Sequence, residues 1–334
     1  MPSIMKICFI GLSAIAAAAA FKTGVSPPSV AQRVKSVNYF ISRQCNYQCK
    51  FCFHTQLNTN KLGLGKAMLG LQLLRQAGTE KINFAGGEPF MNPELLGELC
   101  RHANEDLGMA VSIISNGSLI TRDWMDRFGP FVDILGISVD SFDPATNAPI
   151  GRGEDSDRNH HVNRMLRVRD LCAQHEVLFK MNTVVCKFNH DEDMNEYVTR
   201  LDPYRWKCFQ VLLLNGENAG GGDLRDARDL VVTRDEFDAF ITRHSSQPML
   251  IAEANDVMQN SYLLLDEELR FLDCSDNGKV PSRSILDVGV ENALAQAGFD
   301  DSMFHKRGGI FEWRRDRNIE KPQASEGSLQ DVNL

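Results

Sequence analysis

The chain has 334 residues, of which 43% are hydrophobic and 24% charged, and its formal net charge is −8. That length can bury a full core and fits one barrel-sized domain. The balance is that of a globular protein, and the negative charge excludes a general nucleic-acid surface, so an anionic ligand would have to meet a local pocket of cations. Nine cysteines in a long chain, odd in number and partly clustered, exclude a disulfide framework and point to a reducing compartment.

In chain order, residues 7–21 form an apolar run between Lys6 and Lys22. It is shorter than the roughly 20 residues that span a bilayer. A secretory signal peptide has this form, as does an uncleaved membrane anchor, which we expect because secretion would take the domain out of a reducing space. With the linker around Pro27 and Pro28, residues 1–33 make up this segment. From residue 34 strands are expected at 37–41, 81–85, 111–115, 134–139, 178–185 and 206–214. Helices are expected between them at about 64–77, 94–107, 121–128, 162–175 and 190–201. Six strand–helix units in sequence give an α/β fold with a parallel sheet over 34–233. Residues 234–320 read as a C-terminal extension placed to close an open barrel and contribute to the substrate site. The polar stretch 321–334 lacks periodicity and is expected to be disordered.

The loop after the first strand holds Cys45, Cys49 and Cys52 in a C-x-x-x-C-x-x-C pattern. Structural zinc takes four protein ligands, and an iron–sulfur cluster with four irons usually takes four cysteines. Three leave one iron open to a small molecule. Buried apolar cysteines or half a zinc site remain the plain alternatives. The second strand runs into Gly86-Gly87-Glu88-Pro89, where two glycines let a backbone approach a ligand closely and a carboxylate suits an amino group. Lys81, Lys180, Arg205 and Lys207 stand at or inside strands of an acidic protein. Lys180 and Asn182 alternate with apolar residues and share one face, as do Arg205 and Lys207. Inward cations make a pocket for a polyphosphate; ion pairs with neighbouring carboxylates are the competing reading.

These motifs, with SIISNGSLI, DSFD, IGRG, RWKCFQ, GENAG, SYLLLDE, SILDVGV and KRGG, resemble the viperin family of radical S-adenosylmethionine (SAM) enzymes over roughly residues 34–313. The resemblance implies a partial (β/α)6 barrel with the extension closing it. It implies a [4Fe–4S] cluster on Cys45, Cys49 and Cys52, and SAM held by Phe51, Gly86, Gly87, Glu88, Ser138 and Arg152. Ala85 departs from the serine of the animal proteins. The resemblance further places triphosphate contacts at Asn38, Lys81, Lys180, Asn182, Arg205, Lys207 and Arg307, with Tyr262 and Cys274 near the substrate ribose as catalytic candidates. The implied reaction takes the C4′ hydrogen of CTP by a 5′-deoxyadenosyl radical and releases the 3′ hydroxyl as water. Its product, 3′-deoxy-3′,4′-didehydro-CTP, has an antiviral role. UTP stays open as substrate, and a membrane-anchored iron–sulfur scaffold for partner proteins is the alternative of another class. Implied partners are an external electron donor, the cytosolic iron–sulfur assembly machinery and a membrane. The implied location is the endoplasmic reticulum or lipid droplets, with the catalytic part in the cytosol. Because the sequence ends in Leu334 and not in tryptophan, cluster delivery is expected not to depend on the last residues.

Overall fold

Strand β1 (Ser36–Phe40) buries Val37 and Tyr39 completely and seeds the sheet between two later strands. The computed structural model describes residues 34–153 and 158–315; the expected anchor at 1–33 and tail at 321–334 lie outside them. Helix α1 (Leu64–Gln76) returns the chain to β2 (Lys81–Ala85). The pattern repeats through α2 (Pro93–Arg101), β3 (Ala110–Ser115), α3 (Arg122–Phe128) and β4 (Ile134–Ser138). It continues with α4 (Pro144–Ile150), α5 (Arg158–Gln174), β5 (Leu178–Val185), α6 (Asn195–Leu201) and β6 (Arg205–Gln210). Strands β1 to β6 are parallel and adjacent in chain order, as right-handed crossovers require.

The sequence reading misses α4, which shows its signals only locally. Asp143 caps it by accepting from the Ala145 N–H at 2.9 Å, Pro144 opens it, and Gly151 ends it at φ 82°. Strand β6 stops at Gln210 and does not run to 214. Beyond it the Leu214 N–H turns to the side chain of Asn218 at 2.7 Å, which takes that backbone out of the ladder.

The extension supplies both edges of the barrel. After α7 (Arg234–Arg243), started by a Thr233–Glu236 capping box, strand β7 (Leu250–Glu253) pairs parallel with β6. The short helix α8 (Asn255–Met258) leads to β8 (Leu264–Leu265), which pairs parallel with β1 on the opposite edge. Strands β9 (Arg270–Asp273) and β10 (Val280–Ser284) extend that edge antiparallel, followed by α9 (Ile285–Leu294) and α10 (Asp301–Lys306). The partial α/β barrel closed by its extension is therefore the observed architecture. β7 and β8 face each other across the seam, and residues 254–263 join them.

Register fixes which residues look into the barrel. Along β5, Phe179, Met181, Thr183 and Val185 are buried against the helices while Lys180, Asn182 and Val184 alternate with them. Gly136, Lys180 and Arg205 are level with one another, and Ser138, Asn182 and Lys207 are level one step nearer the C-terminal ends of the strands. A Cβ on Gly136 would stand 2.6 Å from the Ile114 side chain and 3.7 Å from that of Lys180, so glycine there leaves room for Ile114, and the lysine would be in ordinary contact.

Candidate active site

The cysteine loop follows β1 and is held by backbone contacts from two other motifs. The Gly87 N–H donates to the Ser42 carbonyl at 2.8 Å and the Glu88 N–H to the Gln44 carbonyl at 2.7 Å. A Cβ on Gly87 would lie 2.1 Å from the Gln44 oxygen, and one on Gly86, at φ 144°, 2.4 Å from the Ser42 oxygen. On the other side Gln48 donates to the Gly151 carbonyl at 3.2 Å and Lys50 to the Ile150 carbonyl at 2.9 Å. Gly151 too has no room, its Cβ falling 2.4 Å from the Gln48 oxygen. The glycines of GGEP and IGRG thus set the shape of the cysteine loop. Gly87→Ala is expected to lower the melting temperature and cut the iron the protein retains, since the clash is with backbone and overpacking costs at least about 1–3 kcal/mol. Calorimetry and iron content check this; a variant with wild-type values of both would contradict it.

Cys45, Cys49 and Cys52 line one cavity with Arg43, Tyr47, Gln48 and Arg225, and all three are free thiols. Burial raises each thiol, Cys49 to about 12. Arg152 is the largest counterweight at Cys49 and also lowers Cys45 and Cys52. A bound cationic group must supply the rest if the three are to be thiolates. Among the described residues, no three His, Cys, Asp or Glu side chains converge on a single metal ion. Three free thiols lining one cavity are a donor set that a polynuclear cluster can use, since its irons are separate ligand positions.

The predicted SAM residues gather beside this loop. The Phe51 ring is buried, with the Arg152 guanidinium 5.8 Å from its centroid. Arg152 pairs with the buried Asp140. Ser138 ends β4 at the level of Asn182. Glu88 is tied into the fold by its side chain. Its carboxylate accepts from the Phe90 N–H at 3.1 Å, the Ser115 hydroxyl at 2.8 Å and the Asn116 N–H at 2.7 Å. Those bonds tie β2 to the end of β3, so Glu88 braces the turn, while no backbone N–H donates to the Gly86 or Gly87 carbonyl among the described residues.

A buried polar network missed in the sequence reading clamps the far side of the loop. Glu217, in GENAG, accepts from the Thr55 N–H at 2.7 Å, the Thr55 hydroxyl at 2.6 Å, Arg43 at 2.9 Å and Lys279 at 3.1 Å. Arg43 also reaches Glu267 at 3.0 Å. Asn218 donates to the Phe51 carbonyl at 3.0 Å. Cys274 sits here: burial raises its thiol, Lys279 opposes and Glu217 adds to the rise. Its charged neighbours are Lys279, Asp273 and Glu217, whereas those of Tyr262 are Glu253, Arg307 and Arg205.

Deeper in the barrel lies a chamber of cations. Lys81 and Lys207 are buried, and the Arg307 side chain is 6% exposed. Lys180 and Arg205 complete the group: the fields of Lys207, Lys81 and Arg205 all act on Lys180, and those of Lys207, Arg205 and Arg307 on Lys81. Glu253, the last residue of β7, is the one carboxylate paired with them among the described residues. Lys207 donates to it, Arg307 stands 3.9 Å away, and the Tyr262 hydroxyl donates to its other oxygen. Burial would raise Glu253, but Lys207 and Arg307 outweigh it and hold it below the usual carboxylate range. Lys207 also donates to the Tyr262 oxygen at 3.1 Å, and Arg307 donates to the Ser261 carbonyl at 2.9 Å and lies over the Tyr262 ring at 3.7 Å. These contacts bridge the β7–β8 seam. Asn38 donates to the Leu263 carbonyl at 3.4 Å and accepts from Asn83 at 2.7 Å. The Asn182 side-chain oxygen is buried without a partner. Lys207 thus has a carboxylate partner, while Lys81, Lys180 and Arg205 have none among the described residues.

Residues 39–201 match the Radical SAM superfamily. The chain is 50% identical to the S-adenosylmethionine-dependent nucleotide dehydratase RSAD2 of Oncorhynchus mykiss, over 84% of this chain and 81% of that protein. It is 34% identical to the S-adenosylmethionine-dependent nucleotide dehydratase of Flammeovirga pacifica, over 84% of this chain and 97% of that one. Among solved structures it resembles Streptococcus suis SuiB bound to S-adenosylmethionine, with TM-score 0.57, 15% identity, and 87% and 70% of the two chains covered. It also resembles native anSMEcpe with bound AdoMet, with TM-score 0.56, 15% identity, and coverages of 78% and 80%.

Proposed function

The chain belongs to the SAM-dependent nucleotide dehydratases of the radical SAM superfamily, and from that premise we propose that it dehydrates a pyrimidine ribonucleoside triphosphate, CTP in preference to UTP, to the 3′-deoxy-3′,4′-didehydro nucleotide. The observation that carries this reading is the chamber. Five cations face one carboxylate inside an acidic protein, an arrangement that an entering polyphosphate would neutralise. In this reading Cys45, Cys49 and Cys52 hold a [4Fe–4S] cluster. When bound, the reduced cluster and SAM supply a 5′-deoxyadenosyl radical.

The chain's own part is placement. Lys81, Lys180, Arg205, Lys207 and Arg307 fix the phosphates, Asn38 and Asn182 lie among them, and the ribose is left between the chamber and the cysteine loop. Gly86, Gly87, Glu88, Phe51, Ser138 and Arg152 receive SAM on the loop side, so that one C–H bond meets the radical and water is kept out. Loss of the 3′ hydroxyl as water needs one further electron, from an external donor, and one proton. A nucleotide without that hydroxyl would end a growing polymer, which gives the enzyme an antiviral role. Anaerobic incubation with SAM, dithionite and each ribonucleoside triphosphate tests the substrate. 5′-Deoxyadenosine above background is expected with CTP; equal background with all four nucleotides would refute the reading. For residues 1–33 we keep the proposal of a membrane anchor on the endoplasmic reticulum or lipid droplets. Fractionation of the full chain against one lacking them tests it, a soluble full chain being the contrary result. Among the described residues no helix is long and apolar enough to cross a membrane.

The chamber's charge makes triphosphate binding pH-dependent. Burial, then Lys207, Arg205 and Arg307, lowers Lys81 to about 7. Burial lowers Lys207 to about 8, with Glu253 opposing. A triphosphate favours the charged forms, so binding recharges these lysines and takes up protons. Affinity should be fullest below about pH 7 and fall as the pH rises to 9, by up to about tenfold per pH unit for each lysine above its pKa. Calorimetry at pH 8 in buffers of different ionisation enthalpy should report proton uptake; proton release would contradict the assignment.

A further inference from the structure

Four of the five cations of the chamber are held in two different ways. Lys207 and Arg307 share Glu253. Lys81 and Arg205 have no ion pair among the described residues, and the Arg205 Nε is buried without an acceptor. Buried charges of this kind are costly unless something stabilises them. What both touch is one aromatic ring: the Phe311 centroid lies 4.9 Å from the Lys81 Nζ and 4.2 Å from the Arg205 guanidinium carbon. Trp313 adds a second face to Lys81 at 5.7 Å and meets Phe311 edge-on at 6.2 Å.

Phe311 reaches them from residues 308–315, which run beneath the N-terminal ends of the strands. Lys81 and Arg205 are the first residues of β2 and β6. The segment is fastened there by contacts that do not involve the ring. Arg314 donates to the Gly108 carbonyl, and Arg315 donates to the Pro130 carbonyl and, at 2.8 Å, to the His175 carbonyl. The Tyr204 hydroxyl donates to the Glu312 carbonyl at 3.4 Å.

We propose that Phe311 is a positioning residue of the phosphate chamber, its ring holding Lys81 and Arg205 where a triphosphate meets them. The proposal rests on the triphosphate reading above. A ring face attracts a cation electrostatically yet carries no net charge, so it neither repels an arriving phosphate nor has to be displaced by it. A carboxylate in the same place would do both. Two of the five cations are thereby kept ordered and uncommitted, while Glu253 commits Lys207 and Arg307.

The test measures binding of inorganic triphosphate and of CTP to the full-length chain, purified anaerobically and supplied with SAM. Phe311→Leu keeps an apolar side chain and leaves the anchoring bonds of Arg314 and Arg315 in place. It should weaken both ligands about tenfold, because two cations lose the ring face that orients them. KM for CTP should rise by the same factor with kcat within about twofold and SAM affinity unchanged. Phe311→Tyr should restore both affinities to within about twofold of wild type, and it decides the matter should the leucine variant not fold. Leucine binding as wild type does, or tyrosine failing to restore it, would overturn the role given to the ring. Failure of the wild-type chain itself to bind inorganic triphosphate or CTP is a separate outcome, which removes the triphosphate reading and this proposal with it.

Discussion

Cys49→Ala is expected to give a folded chain that binds no iron–sulfur cluster and cleaves SAM only at background. The side chain is buried and its thiol faces those of Cys45 and Cys52, so alanine leaves two of the three ligands. Cys100, Cys172, Cys186 and Cys208 are buried in the core and are not placed to replace it. The fold should survive because the loop is shaped by backbone. The Cys49 carbonyl accepts from Cys52 at 3.1 Å, and Gln48 and Lys50 donate to residues 151 and 150; none of these needs the sulfur. Circular dichroism should match the wild type while iron, sulfide and 5′-deoxyadenosine are lost. Retained cluster absorbance with undiminished cleavage would remove these cysteines from the site.

Lys207→Met is expected to weaken triphosphate binding by about one to two decades, the roughly 1.5–3 kcal/mol of a charge-assisted contact, and to destabilise the fold as well. It strands Glu253, which is fully buried. Breaking a buried pair from one side costs about 3–5 kcal/mol, and the lower end applies because Arg307 and the Tyr262 hydroxyl remain beside the carboxylate. The double variant Lys207→Met/Glu253→Gln separates the two effects. It should regain most of the stability, since no unpaired charge is left, and none of the affinity. Denaturant unfolding and calorimetry on the four proteins of the cycle check this. Full recovery of binding in the double variant would show that Lys207 only serves Glu253.

Several local patterns in the sequence agree with the structure, although the local cap and stop signals of α4 do not suffice to reveal it. The alternation of Lys180 and Asn182 with Phe179 and Met181 gives the face of β5, because successive side chains of a strand point opposite ways. The cysteine spacing and the GGEP turn both lie on loops following strands, and the structure presses these loops together through Gly86 and Gly87. What else sequence did not reveal depends on partners far apart in the chain. Glu253 sits in a short strand with no strong pattern, and it matters only because β7 and β8 meet near Tyr262 and Lys207. Glu217 lies in a motif noted by resemblance, yet its work is done on Thr55 and Lys279. The local pattern at Glu88, a carboxylate beside two glycines, does not show the bonds it makes within the fold. Its three donors come from Phe90, Ser115 and Asn116, two of them on or just after β3. Phe311 reads as an ordinary apolar residue until the last segment is seen to pass under β2 and β6.

In the proposed reaction this chain's cysteine loop and cation chamber bring SAM chemistry to the C4′ position of a nucleoside triphosphate. CTP carrying deuterium at C4′, incubated anaerobically with the reconstituted full-length enzyme, SAM and dithionite, tests it in one measurement. Mass spectrometry should find one deuterium in 5′-deoxyadenosine, alongside a nucleotide product lighter than the labelled CTP by that deuterium, the 3′ hydroxyl and no other atom. 5′-Deoxyadenosine formed at the same rate but free of deuterium would contradict the account.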